Sequence, residues 1–212
     1  MTTTTEPSAR SRIDALLIAG GRSRRFGADK RHALLGTRTL AEIALAKLRA
    51  VADGDVFVAG AGALVRPAPV IFVEDAQRGR GPLAGIAGGL LRASFGVIVM
   101  PCDAPFVHVD TLATLARLGR RSGRAAVLRG ARGWEPLVAF YPKSVLPALL
   151  GALREGLLAP HRLLARLGAL AVSAPSAAET WNINRAGDFE HALRRLALAA
   201  VVARPDVATT EA

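Results

Sequence analysis

The stretch D-A-L-L-I-A-G-G, residues 14–21, is a compact apolar run that ends in two glycines. Its length and its glycine boundary are typical of a short buried strand, from Asp14 to Ala19, that leads into a turn. Strands that are apolar along their whole length are typical of parallel sheets covered by helices on both faces. This stretch therefore predicts an α/β fold.

The rest of the chain alternates between helix-like and strand-like segments. Helical spacing of apolar residues predicts helices at 39–51, 82–93, 109–119, 143–150, 160–167 and 186–199. Short apolar runs predict further strands at 56–59, 70–73, 96–100, 124–128, 137–141 and 169–172. This alternation predicts a mostly parallel twisted sheet with helices on both faces. We expect one domain over 13–200, between a disordered N-terminal segment (1–12) and a C-terminal tail (201–212).

The composition is that of a folded and strongly basic protein. With 51% hydrophobic and 21% charged residues among 212, the chain is unlike disordered sequences. No apolar run approaches the roughly 18 residues that a membrane-spanning helix needs. The polar N-terminal segment lacks a secretory signal, and the single Cys102 cannot form an internal disulfide, so we expect a cytoplasmic location and no membrane contact.

The net charge of +11 favours an anionic ligand. Only three of the 28 basic residues are lysines, and arginine is suited to forked contacts with phosphate. Most of the arginines, however, lie on predicted helices, where a charged outer face is ordinary. Aromatic residues make up only 5% of the chain and do not alternate with the basic ones, which disfavours a nucleic-acid-binding protein.

Ligands of open parallel sheets bind beyond the carboxyl ends of the strands. The first loop at that edge places Arg22, Arg24, Arg25 and Lys30 after the two glycines, an arrangement that suits a polyphosphate. It matches neither the P-loop nor the dinucleotide-binding glycine pattern. A glycine hairpin with solvated arginines is the alternative interpretation.

The loop after the predicted strand 96–100 carries an acid. Asp103 follows a fully apolar strand and lies between Pro101 and Pro105, where it could present Mg²⁺ to a substrate. The alternative role for Asp103 is the N-cap of the helix that follows, although His108 and Asp110 are better placed for it. Its neighbour Cys102 has no evident base and is interpreted as a buried structural thiol.

Two further motifs point to the same edge. In 79–90, Pro82 follows Gly81 at the start of a predicted helix, whose free N–H groups could hold an anion or a ring edge. The small residues of this segment would equally allow close packing of the helix on the sheet. Near the end of the chain, T-W-N-I-N (180–184) is predicted as a short strand with Asn182 and Asn184 on one face.

Five segments together carry a resemblance to a known family: L-I-A-G-G-R-S-R-R-F-G-A-D-K (17–30), G-P-L-A-G-I (81–86), P-C-D-A-P (101–105), E-P-L-V-A-F-Y (135–141) and N-I-N (182–184). They resemble, in order, the nucleotidyltransferases that mature the molybdenum cofactor, most closely the guanylyltransferases. The resemblance runs from about residue 13 to 198. It implies a three-layer Rossmann-like fold and the transfer of GMP from GTP to the terminal phosphate of molybdopterin, with release of pyrophosphate.

The resemblance also implies roles for individual residues. Lys30, Arg25 and Asp103 would be catalytic, and Asp103 would hold the Mg²⁺ ion. The implied nucleotide site comprises Ile18, Ala19, Gly20, Gly21, Arg22, Lys30, Asp75, Gly81, Pro82, Leu83 and Asp103. The implied acceptor site comprises Asn182, Asn184 and Arg162.

The base and the acceptor remain open in the sequence. Gly20-Gly21 and the C-D-A-P motif resemble guanylyltransferases, but Ala59 replaces a polar residue that the family often has at the end of the second strand. A transferase that uses CTP or another small phosphate acceptor is therefore an alternative, as is a regulatory homologue, against which intact Lys30 and Asp103 argue. We expect a monomer or weak oligomer that contacts molybdoenzymes or their chaperones transiently.

Overall fold

The computed structural model describes residues 11–20, 30–60, 69–77, 79–156 and 160–202, except for the side chains of Lys30 and of residues 197–202. The strands are β1 (Ile13–Ile18), β2 (Leu34–Leu35), β3 (Arg38–Thr39), β4 (Val56–Ala59), β5 (Ile71–Val73), β6 (Gly96–Pro101), β7 (Ala126–Gly130), β8 (Gly133–Pro142) and β9 (Leu170–Ser173). The α-helices are α1 (Leu40–Arg49), α2 (Pro82–Arg92), α3 (Val109–Ser122), α4 (Leu146–Arg154), α5 (Pro160–Arg166) and α6 (Ala186–Val202).

Seven strands form one sheet in the order β5-β4-β1-β6-β8-β7-β9. Each of β5, β4, β1 and β6 runs parallel to its neighbour, and β9 runs parallel to β7. Strand β8 is antiparallel to both of its neighbours, β6 and β7. The predicted α/β fold with a mostly parallel sheet is confirmed, and β8 is its one reversed strand among the described residues.

The core lies in two layers, one on each face of the sheet. Leu16 and Ile18 of β1 pack in one layer with residues of α2, α4 and α5. Ala15 and Leu17, the alternate residues of the same strand, pack in the other layer with residues of α1 and α3. Because both faces of β1 are covered, the strand is apolar along nearly its whole length, which is the pattern that the sequence displays.

A third, smaller cluster joins distant parts of the chain. Leu35, Leu40, Ile183 and Ala192 are buried together, with Trp181 packed against them. The indole of Trp181 stacks on the ring of Phe106 with 5.5 Å between ring centroids, and its edge contacts His191. This cluster attaches α6 and the segment that follows Lys30 to the loop after β6.

The structure corrects several boundaries predicted from the sequence. The predicted strand at 180–184 is wrong: a 3-10 helix covers Ala177–Thr180, and 181–184 forms no strand. A period-2 pattern in so short a segment reflects the burial of Ile183 between two more exposed asparagines, not pairing with another strand. The β2–β3 hairpin was not predicted, and β8 begins at Gly133, four residues earlier than expected.

The predicted tails fall mostly outside the described residues. Of the N-terminal segment 1–12, only Ser11 and Arg12 are described. Helix α6 continues to Val202, and residues 203–212 of the predicted C-terminal tail lie outside the described residues. No described helix has the length and apolar character needed to cross a membrane.

Two glycines within helices provide a matched test of this packing. A Cβ at Gly119 of α3 would overlap the ring of Phe140 on β8, whereas a Cβ at Gly151 of α4 would meet no atom within 4 Å. We expect Gly119→Ala to lower the free energy of unfolding by roughly 1–3 kcal/mol through overpacking. Gly151→Ala should raise it by roughly 0.4–1 kcal/mol by restricting the unfolded chain. Urea unfolding measures both, and equal effects at the two positions would contradict the packing described for α3.

Candidate functional site

The candidate site lies at one edge of the sheet, where β1, β4, β5 and β6 end. Because these strands are parallel, the segments that follow them, which begin at Ala19, Gly60, Glu74 and Cys102, emerge at the same edge. This is where ligands bind in open parallel sheets. The prediction that the loops after β1, β5 and β6 begin at one edge of the sheet is confirmed, whereas residues 21–29 of the first loop lie outside the described residues.

The end of β1 offers backbone and no side chains. Ile18 and Ala19 are 6% and 3% exposed, so their side chains belong to the core. The Ala19 N–H donates to the carbonyl of Ala59 at 2.8 Å. Gly60 follows with φ of 116°, and a Cβ on it would overlap the backbone of Gly20. Glycine is therefore required at position 60, because the backbones that follow β1 and β4 approach each other too closely for a side chain.

Asp103 occupies the tip of the loop after β6 and is tied to its surroundings through main-chain hydrogen bonds. The Cys102 N–H donates to the Ile18 carbonyl at 3.3 Å, which links the loop to β1. The Ile183 N–H donates to the Asp103 carbonyl at 2.8 Å, which links it to the N-I-N segment. The N-cap of α3 is His108, so the alternative role of Asp103 as a helix cap is wrong. Cys102 is 3% exposed, as expected of a structural thiol.

Helix α2 begins at this edge after Gly81, whose φ of 72° is a conformation that favours glycine. Pro82 occupies the first turn, as predicted, and the N-cap residue Gly81 has no side chain with which to cap the helix. Leu83 is 1% exposed and belongs to the core. A Cβ built on Gly85 would lie 3.4 Å from Asp75 Oδ1, so the Asp75 carboxylate lies against this part of α2. Partial burial raises the pKa of the Asp75 carboxyl.

The small residues of α2 also serve packing, as the alternative interpretation held. A Cβ on Gly88 would overlap the Glu74 carbonyl, and one on Gly89 would lie 2.8 Å from Leu16 Cδ2. These glycines allow the helix to approach the sheet closely, and the approach holds the segment of Asp75 against α2. Close packing and an open helix N-terminus therefore occur in the same helix.

A cavity of about 310 Å³ lies where the Asp103 loop begins, and its lining includes Pro101, Trp134, Glu135, Pro136, His161 and Asn182. Glu135 is the first residue of the E-P-L-V-A-F-Y motif, but no role was predicted for it from the sequence. Burial raises the pKa of its carboxyl, the negative charge of Asp103 raises it further, and Arg132 opposes both. The two carboxylates are thus close enough to affect each other. A carboxylate followed by Pro136 at the start of a strand was the only available signal.

The structure separates the residues that were predicted for the acceptor site. Asn182 is half-buried and lines the cavity. Asn184 is exposed, and its backbone N–H donates to Asp188 Oδ2 at 2.9 Å near the start of α6. Arg162 is exposed on α5, where the neighbouring His161 lines the cavity. Of the three, only Asn182 contacts the cavity.

The phosphate-binding residues that the sequence predicts belong to the segment between β1 and β2. Gly21, Arg22, Arg24 and Arg25 lie outside the described residues. Of Lys30 only the backbone is described, as the first residue of a 3-10 helix, Lys30–His32, that precedes β2. This helix leads into Leu35, which is buried in the same cluster as Ile183. Lys30 is therefore only five residues away in sequence from Leu35, which belongs to the same buried cluster as Ile183, the residue bonded to Asp103.

A lysine and a buried glutamate form hydrogen bonds to the main chain of the Asp103 loop and of the residues that follow it, up to His108. Lys47 of α1 donates from Nζ to the carbonyls of Pro105 and Val107, at 2.5 and 2.7 Å. Glu179, 1% exposed, accepts from the His108 N–H through Oε2 at 3.1 Å. Burial lowers the pKa of Lys47, and the negative charge of Glu179 opposes that shift. These contacts attach the loop to α1 on one side and to 177–180 on the other.

Asp103 is the residue of this site that could hold a metal ion, with the Glu135 carboxylate nearby. Within the described residues, no group of three or more His, Cys, Asp and Glu side chains could hold a metal ion. Mg²⁺ is commonly bound by one or two carboxylates together with substrate phosphates. Asp103, with Glu135 nearby, fits that pattern. The described residues do not provide the further ligands that a site built from protein groups alone would need.

Comparison with known proteins agrees with this architecture. Residues 15–171 match the family model described as the MobA-like NTP transferase domain. The chain belongs to this family. It is 35% identical over 162 residues to a "Probable molybdenum cofactor guanylyltransferase" of Opitutus terrae, which covers 74% of this chain and 80% of that one. It is 32% identical over 185 residues to the "Molybdenum cofactor guanylyltransferase" of Syntrophotalea carbinolica, covering 83% and 88%.

A solved structure shares this architecture. The crystal structure of molybdopterin-guanine dinucleotide biosynthesis protein A from Archaeoglobus fulgidus matches with a TM-score of 0.74 and 23% identity, over 88% of this chain and all of that one. At this identity the match establishes the architecture alone. The Rossmann-like fold implied by the sequence resemblance is confirmed.

The support of the Asp103 loop can be tested with two lysines. Lys47→Met would leave the Pro105 and Val107 carbonyls without their donor and would remove a positive charge that interacts with Glu179. We expect this variant to lose about 1–3 kcal/mol of unfolding free energy. It should also speed hydrogen exchange of the amides in 102–108 and of Ile183.

Lys143→Met is the matched control. Lys143 also donates from Nζ to two carbonyls, those of Leu90 and Leu91, but it follows β8 at the opposite edge of the sheet. It should lose stability without faster exchange in 102–108. Equal exchange in that segment for both variants would show that Lys47 does not hold the loop.

Proposed function

We propose that this chain transfers GMP from GTP to the terminal phosphate of molybdopterin, forming the guanine dinucleotide of the molybdenum cofactor and pyrophosphate. Family membership supports nucleotidyl transfer, and relatives at 32–35% identity, which are named as molybdenum cofactor guanylyltransferases, support the particular substrates. We propose a cytoplasmic location, where nucleoside triphosphates are available.

The observation that carries the proposal is the position of the Asp103 loop between two binding segments. One main-chain hydrogen bond joins this loop to Ile18 at the end of β1, and another joins it to Ile183 in the N-I-N segment. A transferase must hold two substrates with their reacting phosphates in contact. A carboxylate between two such segments suits that task.

The nucleotide is proposed to bind on the β1 side of Asp103. There, the backbone of Ile18, Ala19 and Gly20, with Asp75, would contact the base and sugar. The cations of 21–30, chiefly Arg22, Arg25 and Lys30, would neutralise the triphosphate, since charged donors bind phosphate oxygens strongly. The N-terminus of α2 would add the main-chain N–H groups of Gly81 and Leu83 as donors and a favourable helix dipole, and Pro82, which has no N–H, would fix the first turn.

The acceptor is proposed to bind on the β8 side. Asn182 would contact it from the cavity, and Asn184 and Arg162 are assigned to the outer, exposed part of the same site. Arg162 is suited to a phosphate there because an exposed guanidinium on α5 can reorient at little cost.

Mg²⁺ is proposed as the metal, held by Asp103 together with triphosphate oxygens. When bound, it would stabilise the negative charge that develops on the phosphates. Asp103 is half-buried at the tip of a loop held by hydrogen bonds, so its carboxylate would need little reorganisation to bind a cation.

The chemistry requires no covalent enzyme intermediate. An oxygen of the acceptor phosphate attacks the α-phosphorus of GTP in line, and the bond from that phosphorus to the bridging oxygen breaks as pyrophosphate leaves. The acceptor phosphate is already ionised near neutral pH, so the protein need not remove a proton. Lys30 and Arg25 would stabilise charge, and the loops would orient the two phosphates.

A CTP-dependent sibling transferase, or one that acts on another small phosphate acceptor, is the second candidate. Ala59 favours it, because this residue is 2% exposed and offers no polar group for base recognition. Purified protein should be incubated with Mg²⁺, molybdopterin and each of the four nucleoside triphosphates in turn, with detection of pyrophosphate and dinucleotide. GTP should be the preferred substrate. Preference for CTP would assign the chain to the sibling activity. The absence of product with all four nucleotides would indicate a regulatory homologue.

Asp103→Ala is expected to reduce dinucleotide formation by at least about a hundredfold, since it removes the proposed metal ligand. Asp110→Ala is the matched control, because Asp110 is an exposed acid in the first turn of α3. The control should keep its activity and its dependence on Mg²⁺. An unchanged Mg²⁺ dependence in Asp103→Ala would move the metal site elsewhere.

Lys30→Ala is expected to raise the activation free energy by about 2–4 kcal/mol, as the loss of a preorganised charged donor does. The measurement is kcat with saturating GTP and acceptor. Lys143→Ala, at the opposite edge of the sheet, serves as the control. Near-normal turnover of Lys30→Ala would show that this lysine does not act on the reacting phosphates.

A further inference from the structure

We propose that the cavity at the start of β8 binds the aminopyrimidinone edge of a pterin, and that the Glu135 carboxylate accepts hydrogen bonds from its 2-amino group and ring N–H. This inference rests on the proposed function, and it assigns to the cavity the ring part of the acceptor. Glu135 thereby becomes a specificity-determining residue for the acceptor.

The reversed direction of β8 is what brings Glu135 to the site. Because β8 is antiparallel to β6, its first residues lie at the edge where β6 ends. The pairing of β6 with β8 stops at Val99 and Ala139, although β6 continues to Pro101. The cavity lies where the two strands are no longer paired, and Pro101, Glu135 and Pro136 line it.

An irregularity in β8 keeps this gap open. Val127 of β7 pairs with Ala139, but the next residue, Leu128, pairs with Glu135. Residues 136–138 therefore bulge from the ladder, and all three line the cavity. The hydroxyl of the fully buried Tyr141 donates to the Pro136 carbonyl at 2.8 Å and fixes the bulge. Bulges of this kind often re-aim side chains next to active sites.

The lining of the cavity suits a flat and polar-edged ring. Prolines, Leu137 and the indole of Trp134 form apolar walls, and Glu135, Asn182 and His161 supply the polar groups. A volume of about 310 Å³ is at the lower end of the range for small-molecule sites, enough for a ring system but not for a dinucleotide. An aromatic side chain such as Trp134 can pack against such a ring.

The carboxylate of Glu135 selects the chemistry of the ring edge. A carboxylate only accepts hydrogen bonds, and its two oxygens match two adjacent N–H donors. The 2-amino group and N3–H of a pterin form such a pair. Guanine has the same pair, but the proposed guanine contacts lie across Asp103, beyond β1. The pterin is therefore the occupant that the arrangement favours.

The experiment compares two pteridines that differ at one substituent. Pterin carries the 2-amino group, and lumazine carries an oxygen at that position. Binding of each to the full chain is followed by the fluorescence of the pteridine. Wild type should bind pterin at least about tenfold more tightly than lumazine, because an oxygen facing the Glu135 carboxylate makes no hydrogen bond and repels it.

Two variants complete the comparison. Glu135→Gln should bind the two pteridines within about threefold of each other. Glu155→Gln, an exposed glutamate at the end of α4, should keep the wild-type preference. The unfolding midpoint of each variant shows that it is folded, and the preference of wild type tests the inference even without a variant. Equal binding of both pteridines by wild type, or binding of neither at millimolar concentration, would overturn the proposal.

GTP separates the remaining outcomes. An excess of GTP should not displace pterin, and displacement would assign the cavity to the guanine base instead. If pterin binds selectively but no dinucleotide forms with any nucleotide, the proposed function fails and the pterin site stands. If dinucleotide forms normally and Glu135→Gln leaves the KM for molybdopterin unchanged, the proposed function stands and the assignment of Glu135 is wrong.

Discussion

The hydrogen bond from the Ile183 N–H to the Asp103 carbonyl, 2.8 Å long, joins two segments that are eighty residues apart in the sequence. Around it, Lys47 donates to the carbonyls of Pro105 and Val107, and Glu179 accepts from the His108 N–H. A loop that carries a functional acid is ordinarily among the less stable parts of a fold. Here the main chain on both sides of Asp103 is bonded to other elements, so its carboxylate is presented from a rigid loop.

The second constraint is the direction of β8. If all seven strands were parallel, the residues at the start of β8 would lie at the far edge of the sheet, away from Asp103. Reversal brings Glu135 to the edge where β6 ends, and the bulge after it prevents β8 from closing against Pro101. One antiparallel strand thus supplies both the wall of the cavity and its carboxylate, while the parallel strands supply the nucleotide side.

These two constraints explain which features the sequence reveals. Apolar strands such as β1 and amphipathic helices such as α3 are encoded by local periodicity, so the layers and the edge that carries the loops could be predicted. Asp103 was found because it directly follows such a strand. The direction of a strand has no local signal, so Glu135 was missed. The role of Glu179 was missed for a related reason, since only tertiary packing brings its carboxylate to the start of α3.

The distribution of charge at the site also constrains how two substrates can be oriented. The cations predicted to bind the triphosphate come from the segment between Gly20 and β2, and Arg162 of α5 is the cation proposed for the acceptor phosphate. Glu135, in contrast, lies in the cavity wall, with Asp103 near it. Carboxylates disfavour phosphate oxygens and favour N–H donors, so the acceptor is best bound with its ring toward Glu135 and its phosphate toward the cations. In that orientation its phosphate meets the triphosphate next to Asp103, where a cation would offset the repulsion between them. The net charge of +11 alone would attract any polyanion, and the acidic wall is what gives the bound acceptor a direction.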